Sequence, residues 1–134
     1  MSEPIEIPTD VVCLGHALSA PTPEDMEANR RRAATWATWI SVTFQVAVSA
    51  DWIWLCGQLA ETSANRAWGL ACDKAQIERC DELWMVGHRV QPGMELELQH
   101  ARACRVRSFD LTGLPMDENL IVAAMAEQLR ADRG

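Results

Sequence analysis

Two stretches decide the fold: Cys80-Asp81-Glu82-Leu83-Trp84-Met85-Val86-Gly87 and, close behind it, Gly93-Met94-Glu95-Leu96-Glu97-Leu98. The first reads as a buried strand led in by an acid, an unbroken apolar run stopped by glycine. The second reads as a helix entered through glycine, with a carboxylate about one turn in. A buried strand feeding such a helix belongs to a parallel sheet. Asp81 and Glu97 would then face one cleft at the carboxyl edge of that sheet, where small polar ligands bind in open α/β folds.

Working outward, the same alternation continues in both directions. Residues 1–9 are polar, carry Pro4 and Pro8, and read as a flexible lead-in, leaving residues 10–134 as one domain. Val11-Val12-Cys13-Leu14 is a first strand ended by Gly15. Thr22-Pro23-Glu24-Asp25 starts a helix, with proline in the first turn and acids at its positive end. That helix runs to about Ile40, with Met26, Arg30, Ala33, Ala37 and Ile40 on one stripe. Phe44 to Val48 is the second strand, and 50–55 the loop leaving it. A helix spans about Ser63 to Arg79, and Leu83 to Val86 is the third strand. The helix from Gly93 ends near Cys104, Arg105 to Phe109 is the fourth strand, and 116–130 is a closing helix. The order β-α-β-α-β-α-β-α predicts a small open parallel sheet flanked by helices, a Rossmann-like or flavodoxin-like three-layer α/β sandwich. So small a sheet calls for cover at its edges from a second subunit, hence a homodimer or higher homo-oligomer.

Composition narrows the function classes. At 134 residues and 49% hydrophobic the chain buries a core without staples. A net charge of -7, with no basic run beyond Arg30-Arg31-Arg32, argues against polymeric nucleic acid as a partner. A nucleoside or nucleotide in a pocket is compatible with it. The five cysteines, Cys13, Cys56, Cys72, Cys80 and Cys104, form no CxxC pair. That spacing argues against disulfides or zinc, and suits a reducing cytoplasm. Neither a secretory signal nor an apolar run long enough for a membrane span is present. Six tryptophans and no tyrosine point first to core and interface packing.

The candidate site residues follow from topology. Glu97 lies where orphan helix amides keep an acid ionised, on the margin of the sheet-facing stripe of Met94, Leu98 and Ala101. The plain alternative is a solvent-facing glutamate. Asp81 leads a strand, so capping a loop amide is its ordinary role, and strand entrances lie opposite the usual crevice. Asp51 follows the second strand on the ligand edge, and topology favours it over Asp81 for ligand contact. Asp73 lies on the helix feeding the Asp81 entrance. The Gly15 loop gives a ligand room to approach the backbone. It is neither GxGxxG nor GxxxxGK[ST], so no dinucleotide cofactor is implied. His16 and His88 follow strands at the presumed ligand edge, and Arg89 is the natural cation for a phosphate or carboxylate. Three histidines without HExxH or paired spacing argue against a metal site. Ser19 has no nucleophile-elbow context.

Cys80-Asp81-Glu82-Leu83-Trp84-Met85-Val86-Gly87 with Gly93-Met94-Glu95-Leu96-Glu97 resembles the nucleoside 2-deoxyribosyltransferase-like proteins, closest to a small bacterial and phage branch. Leu14-Gly15-His16, Glu27-Ala28-Asn29-Arg30-Arg31 and Arg66 to Asp73 resemble further pieces of that pattern, so the likeness covers about 10–110. The resemblance implies that Glu97, four residues after Gly93, is a nucleophile toward C1′ of a nucleoside or nucleotide, with retention over two steps. It implies a positioning role for Asp81, a pocket that includes Gly93 and Met94, and an oligomer whose neighbour contributes to that pocket. The departures are specific. Gln91 stands where transferases carry an acid six residues before the nucleophile, no tyrosine follows the first strand, and His16 replaces a common proline. Hydrolysis of the N-glycosidic bond, or binding without turnover, then fits better than base exchange.

Overall fold

The computed structural model describes residues 4–55 and 58–133. The elements run β1 (Val11–Gly15), α1 (Pro23–Phe44), β2 (Ala47–Ser49), α2 (Trp52–Leu55), α3 (Ser63–Ile77), β3 (Glu82–Met85), α4 (Pro92–Ala103), β4 (Arg107–Asp110) and α5 (Glu118–Arg133). The four strands form one parallel sheet in the order β2-β1-β3-β4. Helices cover both faces, giving the expected three-layer α/β sandwich. Among the described residues no helix is long and apolar enough to cross a membrane.

Strand alternation sorts the core into two clusters. Val12 and Leu14 of β1, Trp84 of β3 with Val86 after it, and Phe109 of β4 face α1, α2 and α5, meeting Ala33, Trp36, Ile40, Trp52 and Ile121. Cys13, Leu83 and Met85 face the other way, onto Ile77 of α3 and Met94, Leu98 and Ala101 of α4. The first cluster is aromatic. Trp36, Trp39, Phe44 and Trp84 form a chain of edge-to-face contacts with ring centroids 5.7, 5.7 and 5.1 Å apart.

The largest shift from the sequence expectation falls between α1 and β2 and has one physical reason; β4 starts two residues later than expected, at Arg107, and α5 spans Glu118–Arg133. The helix expected to stop near Ile40 continues to Phe44, and the strand expected from Phe44 begins at Ala47. Trp36, Ile40 and Phe44 recur every four residues on the buried face of α1, and that packing outweighs the β-branched residues between them. Gln45, in the left-handed conformation (φ 54°), ends the helix. At the other end Thr22 accepts the Asp25 amide at 3.1 Å as N-cap. Residues 52–55, expected as loop, form the single turn α2. The indole of Trp52 donates to the carbonyl of Leu14 at 3.1 Å, which pins that turn over β1.

One contact at the rim of the sheet is unusual. The carboxamide of Gln128 on α5 accepts the Asp110 amide at 3.0 Å and donates to the Asp110 carbonyl at 2.8 Å. A side chain thus occupies the backbone pair of the last residue of β4.

Candidate functional site

With the order β2-β1-β3-β4, the chain leaves β1 to one side and returns to the other. The switch point therefore lies beyond the carboxyl ends of β1 and β3, between Gly15 and Gly87. His16 fills it. The imidazole is buried, donates from Nδ1 to the carbonyl of Ala17 at 2.7 Å, and lies so close to Gly87 that a Cβ there would sit 2.8 Å from Nε2. Gly87 also has φ 102°, a second reason for glycine at that position. Burial holds the His16 pKa below its ordinary value, so the ring is neutral near pH 7.

Two of the expected ligand contacts, Gly15 and Met94, are packed against other side chains. Gly15 belongs to β1, and the space a side chain would take there is filled by the Met85 thioether, not by an approach path. Met94 is buried in the cluster beneath the sheet, and the Gln91 amide donates to its sulfur at 3.4 Å. Gly93 is exposed in the first turn of α4, with open space about its Cα. His88 and Arg89 are exposed on the turn after β3, on the carboxyl edge as expected. Gln91, next to them, reaches the Ser19 carbonyl at 3.4 Å and ties the start of α4 to the loop after β1.

Asp81 and Glu97 do not share a cleft. Asp81 precedes β3 at the amino edge of the sheet and is exposed; its Oδ2 accepts the Val11 amide at 2.7 Å. It lines a cleft of about 820 Å³ beside β4, together with Arg102, Arg105 and Arg107. The ordinary role of a strand-leading acid accounts for this placement: Asp81 fixes the start of β1, at the edge of the sheet opposite the switch point.

Glu97 sits on the α4 face turned to the sheet and is 9% exposed, not solvent-facing. Asp73 of α3 is its partner. Burial first, and then the Asp73 charge, push the Glu97 carboxyl up to about 8. Asp73 is pushed up to about 7 by burial and then by Asp51. The expectation that helix amides would keep Glu97 ionised therefore fails. Pro92 is the first helical residue, which puts Glu97 a turn and a half in, beyond the reach of the terminal amides, and desolvation wins.

Asp51 stands at the exit of β2. Its Oδ1 accepts from Gln76 of α3, whose own Oε1 accepts the Ser49 hydroxyl at 2.6 Å. It lines a second cleft, of about 670 Å³, with Ala34, Thr38, Ile53, Trp54 and Gln76. Glu97 lines neither cleft.

Two thiols complete the group beneath the sheet. Cys13 and Cys80 are neighbouring thiols. Interaction with Cys80 first, then burial and the nearby charges of Glu97 and Asp73, raise the Cys13 thiol, while the interaction with Cys13 lowers Cys80. Sequence reading missed Asp73 as the partner of Glu97, and it missed the thiol pair. The one signal available was a carboxylate, Asp73, spaced four residues before the buried Ile77 on α3.

Chemically, two carboxyls near enough to feel one another's charge, with both pKa values raised toward neutrality, can differ in protonation near pH 7. One is then an acid while the other is a base or nucleophile. No curated protein matches the chain. A family model described as "Domain of unknown function (DUF7768)" matches residues 17–109, from the turn after β1 to β4, and the chain belongs to that family.

Proposed function

We propose that the protein cleaves the N-glycosidic bond of a nucleoside or nucleotide, with Glu97 as nucleophile. The observation that carries this reading is the buried Glu97 of α4 beside the half-buried Asp73 of α3, with both carboxyls pushed up toward neutrality. The resemblance to nucleoside 2-deoxyribosyltransferase-like proteins at Gly93-Met94-Glu95-Leu96-Glu97 supplies the substrate class. The proton resides mainly on Glu97, at about 8 against about 7 for Asp73, so the reactive state is the minor one in which Asp73 holds it. In that state the Glu97 carboxylate bonds to C1′, and the C1′–N electron pair leaves with the base, which takes the proton from Asp73. Water then adds at C1′ and gives its proton to the Asp73 carboxylate, the ester bond breaks, and Glu97 returns as carboxylate with the sugar configuration retained. A carboxylate suits both steps because it stabilises the oxocarbenium-like centre and collapses onto it. His88 and Arg89, on the exposed turn after β3, are suited to the sugar or its 5′-phosphate. Asp51 is suited to a sugar hydroxyl.

A panel of nucleosides and 5′-nucleotides, followed by chromatography for free base, tests this directly. Wild type releases base and Glu97→Ala does not; equal release by the two removes Glu97 from the chemistry. A second reading, binding of the same ligands without turnover, is favoured by the protonated state that a pKa of about 8 gives Glu97 at pH 7. It predicts saturable calorimetric binding with no base released.

The setting belongs to the same proposal. Cys13, Cys72, Cys80 and Cys104 are free thiols, which supports a reducing cytoplasm. Trp54 and Trp68 are 65% and 64% exposed, and large aromatics left on the surface support contact with a second copy. Light scattering after size exclusion reads the mass, and a strictly monomeric protein would remove the homo-oligomer.

A further inference from the structure

The amino edge of the sheet carries a separate cluster of potential ligands. Glu78 is the C-cap of α3, and Cys104 is the C-cap of α4 with His100 one turn before it. Their ligating atoms lie within 4.8 Å of one another. His100 Nε2 is 3.0 Å from Glu78 Oε1, Cys104 Sγ is 3.5 Å from His100 Nε2, and Cys104 Sγ is 3.9 Å from Glu78 Oε1.

A tetrahedral metal has its own ligand triangle. With bonds of about 2.3 Å to sulfur and about 2.0 Å to nitrogen and oxygen, the N···O edge is about 3.3 Å and the S···N and S···O edges are each about 3.5 Å. The three side chains thus stand within roughly 0.4 Å of that triangle on every edge. A second feature points the same way: both helices end here, so two sets of carbonyl-rich, negative termini converge on the cluster. Of the arginines close in sequence, Arg79 is turned back onto the Ala75 carbonyl at 2.7 Å, and Arg102 and Arg105 line the cleft beside β4. Thiolate, imidazole and carboxylate together are a zinc donor set, and the partial exposure of all three leaves a fourth position for water.

We propose that Glu78, His100 and Cys104 bind a zinc ion that staples the end of α3 to the end of α4. The site is independent of Glu97 and of any glycosidic chemistry. Its pairing was hidden in the sequence because the spacing His100-x-x-x-Cys104 mixes two residue types, and Glu78 stands 22 residues from His100.

The test is titration of the purified, metal-stripped chain with Co²⁺ and then Zn²⁺. Expected is one cobalt per chain, with a thiolate-to-cobalt band in the near ultraviolet and intense tetrahedral visible bands, bleached by one equivalent of zinc. Cys104→Ser and His100→Gln each lower the affinity about tenfold or more, while Cys13→Ser leaves it unchanged. Zinc also shields Cys104 from alkylation, read by peptide mass spectrometry, which needs no variant at all. The proposal is overturned if micromolar cobalt gives no saturable thiolate band. It is equally overturned if the band survives in Cys104→Ser, or if zinc leaves the alkylation of Cys104 unchanged.

Discussion

The two faces of the sheet are built from opposite materials. The face under α1, α2 and α5 is aliphatic and aromatic, and two of its indoles are hydrogen-bonded: Trp52 to the Leu14 carbonyl and Trp84 to Glu82 Oε1 at 2.9 Å. The face under α3 and α4 mixes Leu83, Met85 and Ile77 with two thiols and two carboxyls whose ordinary charged state burial disfavours. One face holds the fold together; the other spends some of that stability on groups that water would hold more comfortably. Such a division is expected where a site is carried on a scaffold, because desolvated acids persist only if the rest of the molecule over-determines their position.

That contrast can be broken by experiment. Under the proposed chemistry, Glu97→Ala lowers base release by ~10⁴-fold or more, whereas a substitution on the aromatic face that leaves the protein folded changes it little. A similar loss from both faces would dissolve the distinction. Next in size is Trp84→Ala. Trp84 is 3% exposed and stacks edge-to-face on Phe44, so its truncation costs roughly 3–5 kcal/mol in urea unfolding.

The carboxyl face gives the next effect through pH. Glu97 and Asp73 both have folded pKa values above their ordinary ones, 4.5 to about 8 and 3.8 to about 7. The folded state therefore binds these protons more tightly than the unfolded state. Their stabilising contribution is complete below about pH 4 and is lost progressively as pH rises toward about 8. Glu97→Gln, which imitates the protonated acid, raises stability at pH 8.5 by on the order of 2–4 kcal/mol and flattens the profile. Denaturant midpoints across pH measure this, and an unchanged slope would show that Glu97 is not desolvated. Smaller still is Thr22→Ala, which removes the cap of α1 and costs about 1 kcal/mol by thermal melting. Arg66→Ala, which breaks an exposed pair with Glu61 at 2.8 Å, shifts the same melt by less than about 0.5 kcal/mol.

What was legible in the sequence follows from what acts locally. The apolar runs at 11–14 and 83–86 and the stripe over 63–79 gave strands and helices within a few residues, because burial on a fixed period leaves a pattern in the chain. The run from Trp36 to Leu55 did not: its aromatics and β-branched residues suit either structure, and only contact with Trp84 and Leu14 decided between them. For the site, the placement of Glu97 on α4 could be read, but its state could not. Protonation depends on Asp73, on a different helix, and the register between α3 and α4 is written nowhere in either segment. Asp81 illustrates the converse. The ordinary role read for it, satisfying an amide at a strand entrance, is what the Val11 amide shows, whereas the cleft shared with Glu97 is not formed.

The carboxamide of Gln128 bears on how copies of this chain can meet. Along a strand, alternate residues turn their amide and carbonyl outward. On β4 those residues are Ser108 and Asp110, and Gln128 already claims the second. On β2 the Ala47 amide is taken by the Asp10 carbonyl, which leaves Val48 alone facing out. A newcomer strand would find one vacant rung on either flank, too little to build a ladder. Among the described residues, backbone pairing with a second sheet is therefore limited to single rungs, and the proposed contact between copies would draw instead on helix-borne side chains such as Trp54 and Trp68.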